Sequence, residues 1–192
     1  MVVESVAPIK KQWTYTELAA LDNEVRYEMY DGELIEMTAP KLKHQRLLRR
    51  LLKRMETIVE NGDLGELYMP PHDLYISETT FFEPDLSFVR RERFADETIE
   101  RGDDACLIAP PDLVIEVISP STARNDRVKK FSAYAKFGVR HYWLFEPEEK
   151  TLIAYVLMNG LFTAEASLTE EDAFAPSLFP GVTINLAELF EP

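Results

Sequence analysis

The chain is poor in cysteine, histidine and glycine-rich turns, and it carries no overall excess of basic charge. Cys106 is the single cysteine in 192 residues. It excludes an intrachain disulfide, nothing near it resembles a metal cluster, and a reducing cytoplasm is the expected compartment. The histidines, His44, His72 and His141, are scattered, so no paired-imidazole pattern points to zinc. No Gly-rich loop is present to cradle a nucleotide phosphate. No apolar run is long enough to cross a bilayer. The stretch from Met1 to Pro8 has neither the basic nor the apolar part of a secretory signal. Lys and Arg number 21 against 34 Asp and Glu, a net charge of −13, which weighs against a general nucleic-acid binder.

What is present is a sizeable core and a local concentration of cations. Apolar residues make up 46% of the chain, enough for a core without stapling, and the length fits a single domain over 1–192. Residues 41–54 carry Lys41, Lys43, Arg46, Arg49, Arg50, Lys53 and Arg54 with no acid among them. Residues 124–140 carry Arg124, Arg127, Lys129, Lys130, Lys136 and Arg140 against the one acid Asp126. A basic surface on an acidic protein is therefore open.

The pattern predicts mixed α/β structure. Thr14 with Glu17 reads as a capping box opening a short helix over 14–21. Asp31-Gly32 between two alternating runs reads as a hairpin turn. His44, Leu47, Leu48, Leu51, Leu52, Met55, Ile58 and Val59 share one face of a helix over 42–60, closed by Asn61-Gly62. Strands are expected near 66–69, 73–77 and 81–89, then a loop with a short helix over 90–105. The apolar run around Glu116, a helix over 123–136 and the strand 140–145 form a βαβ crossover with parallel strands. Asn159-Gly160 turns a second hairpin over 151–166, and a short helix lies near 186–190.

Two acids stand where acids are costly. Glu116 lies in Asp112-Leu113-Val114-Ile115-Glu116-Val117-Ile118, and its own face carries Val114 and Ile118. A lone carboxylate there costs several kcal/mol, roughly, unless it is paired or binds a metal. A nearby arginine or backbone donors are the plain alternative, and the less favoured one, because unpaired interior acids cluster at functional sites. Asp85, in Glu83-Pro84-Asp85-Leu86, is the second acid, and an acid beside proline also simply starts strands. Lys130 follows on the next helix, where an ordinary surface pair with Asp126 is the plain alternative. His44 sits at the start of an apolar helical face, where a satisfied core histidine is the commoner outcome. Two carboxylates, with a backbone carbonyl and several waters, make a hard oxygen site suited to Mg²⁺, with Mn²⁺ as substitute, and a lysine beside such a site completes a set that fits phosphodiester hydrolysis.

These segments together resemble the PD-(D/E)XK nuclease superfamily and, within it, the Uma-two-like family of bacterial restriction-endonuclease-like proteins. The resemblance rests on Arg26-Tyr27-Glu28, Asp31-Gly32-Glu33-Leu34, His44, Glu83-Pro84-Asp85-Leu86 and Pro111 through Ser121. It continues through Asp126, Lys130, Tyr134, Gly138-Val139 and Tyr142-Trp143. It implies a restriction-endonuclease-like mixed central β-sheet flanked by helices, with an N-terminal hairpin and a C-terminal β-hairpin extension. It implies Asp85 and Glu116 as metal-binding acids, His44 in support, a homodimer and DNA as partner, with no organic cofactor and no membrane. The superfamily's strand lysine would fall two residues after Glu116, where this chain has Ile118. The resemblance places that role on Lys130, with Lys129 as its neighbour.

The expected activity is a Mg²⁺-dependent endodeoxyribonuclease, with Lys43, Arg46, Arg50, Arg124 and Arg127 as candidate contacts to the DNA backbone. The alternative is a catalytically inactive nuclease fold that binds nucleic acid or a partner, which Ile118 and the acidic net charge favour. A hydrolase of small phosphate esters ranks below both.

Overall fold

The computed structural model describes residues 12–21, 25–94, 106–119 and 124–191. The expected capping box is formed: Thr14 accepts from the Glu17 N–H and Glu17 accepts from the Thr14 N–H, opening α1 (Tyr15–Ala19). The Asp31-Gly32 turn joins β1 (Tyr27–Tyr30) to β2 (Glu33–Glu36) with φ of 49° and 77°. Both positive values are what a tight hairpin demands.

Helix α2 (Leu42–Gly62) buries His44, Leu47, Leu51, Met55, Ile58 and Val59 on one face. It runs past the expected Asn61-Gly62 stop. Asp63 takes the left-handed conformation instead, and its N–H bonds back to Glu60 O and Val59 O. Leu64 then folds onto the core, its N–H on Val59 O.

Strands β3 (Gly65–Tyr68) and β4 (Asp73–Ser77) follow as expected. The expected strand over 81–89 is divided into β5 (Thr80–Phe82) and β6 (Leu86–Arg90). Pro84 has no N–H to give to a ladder, so the chain crosses from one sheet to another at Glu83-Pro84-Asp85. A 3-10 turn spans Arg91–Arg93, and the rest of the expected loop, from 95 to 105, lies outside the described residues. Next come β7 (Cys106–Leu107) and β8 (Leu113–Val117), every residue of which is buried.

Residues 120–123, which include the expected start of the next helix, lie outside the described residues. Asn125–Lys130 is a π-helical turn rather than the expected α-helix, and α3 (Phe131–Phe137) continues it. The widened turn coincides with a hydrogen bond from the Tyr142 hydroxyl to the Asp126 carbonyl at 3.0 Å. Single π turns concentrate at functional sites. Gly138, at φ 100°, ends α3. The remaining elements are β9 (His141–Glu146), β10 (Thr151–Met158), β11 (Leu161–Thr169), β12 (Ala173–Phe174), β13 (Ile184–Asn185) and α4 (Leu186–Phe190).

The described strands form a six-stranded mixed sheet, β11-β10-β9-β8-β6-β3, a five-stranded mixed sheet, β2-β1-β5-β4-β7, and the antiparallel pair β12-β13. β8 and β9 are parallel, as the crossover requires. The C-terminal hairpin β10–β11 extends the larger sheet through β9, while the N-terminal hairpin belongs to the smaller one. Alternation along β8 separates two cores. Leu113, Ile115 and Val117 face α2 and the C-terminal segment. Val114 and Ile118 face α3, Leu74 and Phe82 of the second sheet. Glu116 therefore points into an apolar layer between the two sheets. No described helix is long and apolar enough to cross a membrane.

Candidate metal centre and active site

Asp85 and Glu116 arrive on adjacent antiparallel strands. Leu86 pairs with Ile115, so one step along the register brings Asp85 opposite Glu116. Val117 donates its N–H to Asp85 Oδ2 at 2.7 Å, and His44 Nε2 lies 3.2 Å from the same oxygen. An ionised Asp85 only accepts, so Nε2 carries the proton in this contact. His44 Nδ1 has no hydrogen-bond partner among the described residues. Asp85 is the more open acid, its side chain 17% exposed. Glu116 is 3% exposed, near the C-terminal end of β8, the end at which α/β sheets carry their ligand sites.

Lys130 reaches Glu116 from the π turn. Its Nζ lies 2.9 Å from Glu116 Oε1, which also accepts from the Tyr134 hydroxyl at 3.0 Å. The surface pairing with Asp126 that spacing alone favoured does not describe this residue. Lys130 is 4% and Asp126 2% exposed, and their 3.4 Å ion pair is buried. A further carboxylate, Glu28 of β1, lies 2.8 Å from the same Nζ. Lys130 also stands over the Phe82 ring, 5.7 Å from its centre. Lys129, one residue away, instead pairs with Glu33 at 2.9 Å.

The electrostatics follow from burial and crowding. Burial pushes the Glu116 carboxyl well above the ordinary range; Lys130 pulls against it, while Asp126, Asp85 and Glu28 push it further. Glu28 is raised by the same desolvation, opposed by Lys130. Burial works against the Lys130 ammonium, but Glu116, Glu28, Tyr134 and Asp126 outweigh it and hold its pKa well above the usual value. Burial, then the Glu116 charge, keeps Tyr134 protonated as a donor. The cluster thus sets three carboxyl groups against one ammonium in a buried layer.

Among the described residues, no three His, Cys, Asp or Glu side chains form a ready-made metal cage. Asp85 and Glu116 supply hard carboxylate oxygens from two strands. That donor set fits a Mg²⁺-class ion that keeps several waters, and it does not fit tetrahedral zinc.

Three of the five candidate basic residues are engaged within the protein. Lys43 pairs with Glu148, Arg127 pairs with Glu146, and Arg50 donates to Glu191 O at 2.5 Å and Leu189 O at 3.3 Å. Arg46 and Arg124 are exposed. A cavity of about 230 Å³ lies beside α2, lined by Lys43, Arg46, Arg50 and Phe190 among others, and neither candidate acid lines it.

Sequence reasoning did not single out Glu28, Asp126 or Tyr134 as site residues. Tyr134 stands four residues after Lys130, a helical spacing that puts both on one face. Glu28 lies in a segment that carries the family resemblance, but no local spacing ties it to Lys130, 102 positions away.

The two mixed sheets and their flanking helices define a restriction-endonuclease-like α/β protein. The chain belongs to the Uma2 family, whose model, described as "putative restriction endonuclease", matches residues 14–187. Among solved structures it is similar to a protein from Anabaena variabilis described as a "putative nuclease belonging to DUF820". The TM-score is 0.75 at 22% identity, over 95% of this chain and 98% of that one. This likeness establishes the shared fold. No curated protein matches the chain.

Proposed function

We propose that this chain is a Mg²⁺-dependent endodeoxyribonuclease, with Mn²⁺ able to substitute. The observation that carries this reading is the convergence of Lys130 Nζ on Glu116, at 2.9 Å, beside the strand position of Asp85. Asp85 and Glu116 would hold the ion, which when bound supplies Lewis-acid polarisation of a phosphate oxygen and a more acidic water. Hydrolysis forms one P–O bond from water and breaks one P–O bond of the backbone. Lys130 remains charged throughout the neutral range and offers N–H donors to the negative charge that accumulates on phosphorus oxygens. His44 orients Asp85 through Oδ2.

Helix α2 presents Lys43, Arg46 and Arg50 as backbone contacts, and the π turn with the residue before it presents Arg127 and Arg124. For Lys43 and Arg127 these would replace surface ion pairs, which solvent screens and which contribute little. The reading includes residues 1–192 as one domain, a homodimer as working unit and a cytoplasmic setting, in which Cys106 stays a buried thiol outside any disulfide.

One observation favours the second reading, a nuclease fold without catalysis. Lys130 already has three carboxylate partners, so its charge is spent within the protein. A single experiment separates the two. Supercoiled and linear DNA are incubated with the protein in Mg²⁺, Mn²⁺ or EDTA, beside Glu116→Ala. Cleavage that needs the metal and is absent in the variant supports the nuclease. Absence of cleavage together with no Mn²⁺ binding by calorimetry leaves the binding protein.

A further inference from the structure

Lys130 is held by more acid than neutralisation requires. Glu116 alone balances its charge, and Asp126 lies on the same turn. Glu28 is different, because it comes from the five-stranded sheet while Glu116 belongs to the six-stranded one. A buried carboxylate costs several kcal/mol, roughly, when its pairing is imperfect, so a surplus one calls for a role beyond stability. Its geometry supplies that role. Glu28 Oε1 is 2.8 Å from Lys130 Nζ and accepts the Glu83 N–H at 3.2 Å. Glu83 stands two residues before Asp85, at the crossing between sheets. Met29 pairs with Phe81, so the register brings Glu28 opposite Phe82, whose ring lies against the same ammonium. One oxygen therefore ties the lysine to the segment that delivers the first acid.

We propose that Glu28 is a positioning residue of the site: it fixes the Lys130 ammonium relative to Asp85, and so makes the five-stranded sheet part of the machinery. The proposal rests on the nuclease reading, in which Lys130 serves the reaction. It is a claim about geometry rather than charge, which gives it a specific test. Glu28→Gln keeps an oxygen at full reach for Lys130 and the Glu83 N–H but removes the charge. Glu28→Asp keeps the charge but withdraws the oxygen by one methylene.

The measurements are kcat and KM for Mn²⁺-dependent DNA cleavage, Mn²⁺ affinity by calorimetry, and reductive methylation of Lys130 followed by mass spectrometry. For Glu28→Asp, kcat falls about ten- to a hundred-fold with KM and Mn²⁺ affinity nearly unchanged, as for other outer supports of a site. Lys130, shielded in the parent, becomes methylated. For Glu28→Gln, kcat stays within about five-fold of the parent and Lys130 stays protected. The opposite order, Gln inactive and Asp active, overturns the proposal, because charge rather than position would then matter. Parent-like kcat and protection in both variants overturn it as well. Failure of the nuclease reading is recognised separately, since the parent protein itself would then leave DNA uncut in every metal, and the proposal falls with it.

Discussion

Val117 donates its backbone N–H to Asp85 Oδ2 at 2.7 Å, so the join between β6 and β8 continues through a side chain one step past the Leu86–Ile115 pair. The same oxygen faces His44 Nε2. Asp85 is therefore both a candidate ligand and a strand connector, and two substitutions divide these roles. Asp85→Ala leaves the Val117 N–H without its acceptor and should cost about 1–3 kcal/mol of stability. Asp85→Asn keeps an acceptor, so its thermal unfolding should stay close to the parent while Mn²⁺ binding is lost. Retained Mn²⁺ affinity in Asp85→Asn would remove Asp85 from the metal site.

The cluster around Lys130 should behave as a functional site rather than a stabilising one. Glu28, Glu116 and Asp126 share one ammonium, and burial raises the pKa of both glutamates. Glu116→Gln retains an acceptor for Lys130 and Tyr134 and removes one of the three carboxyl groups around that ammonium. Its Tm, measured without metal, should equal or exceed the parent's, while metal-dependent cleavage falls about a hundred-fold or more. Lys130→Met strands three buried acids and should lose about 3–5 kcal/mol. A Tm loss in Glu116→Gln as large as that in Lys130→Met would mean that the acid serves folding.

Much of this arrangement was legible in local patterns. The capping box, both hairpin turns, the α2 face and the parallel β8–β9 pair follow from spacings of a few residues, and the structure has them all. Glu116 was legible because alternation left it no route to solvent. The division of 81–89 into two strands was not, although Pro84 was visible, because which sheet each half joins depends on partners far along the chain. The burial of the Asp126–Lys130 pair was equally hidden. An i, i+4 pair looks alike on an exposed and a covered helix, and here the cover comes from β1 and β5. The family resemblance gave the reason to look at Lys130, and tertiary packing gave it Glu28.

Asp112 offers a control at the other end of β8. It is fully buried, accepts the Arg90 N–H at 3.0 Å, and has Arg93 at 3.3 Å and Arg140 at 3.6 Å. Asp112→Ala leaves the Arg90 N–H without its acceptor, while the partly exposed guanidinium groups can turn to water, and should cost about 1–3 kcal/mol. Mn²⁺ affinity of the folded protein should not change, because none of these contacts reaches Asp85 or Glu116. Weaker metal binding in a variant that remains folded would show that the two ends of β8 are coupled.

His72 sets a pH dependence that can be isolated from the carboxylates. It is 5% exposed, its Nε2 lies 3.1 Å from Ser87 Oγ, and burial holds its pKa down at about 4. The unfolded chain takes up a proton near 6.5, whereas the folded one resists until about 4. The folded state is thus fully stabilised above the unfolded value, and this contribution is lost as pH falls from 6.5 through about 4. At 1.36 kcal/mol per pKa unit the loss approaches about 3 kcal/mol. His72→Gln removes the titrating ring, and with it the packing against Tyr68, so its stability at pH 7 should start lower. Between pH 7 and 4.5, however, its urea midpoint should fall less steeply than the parent's. The carboxylates titrate in both proteins and cancel in the comparison. Parallel slopes would assign the acid sensitivity to other groups and show that His72 carries its proton in the folded state at little cost.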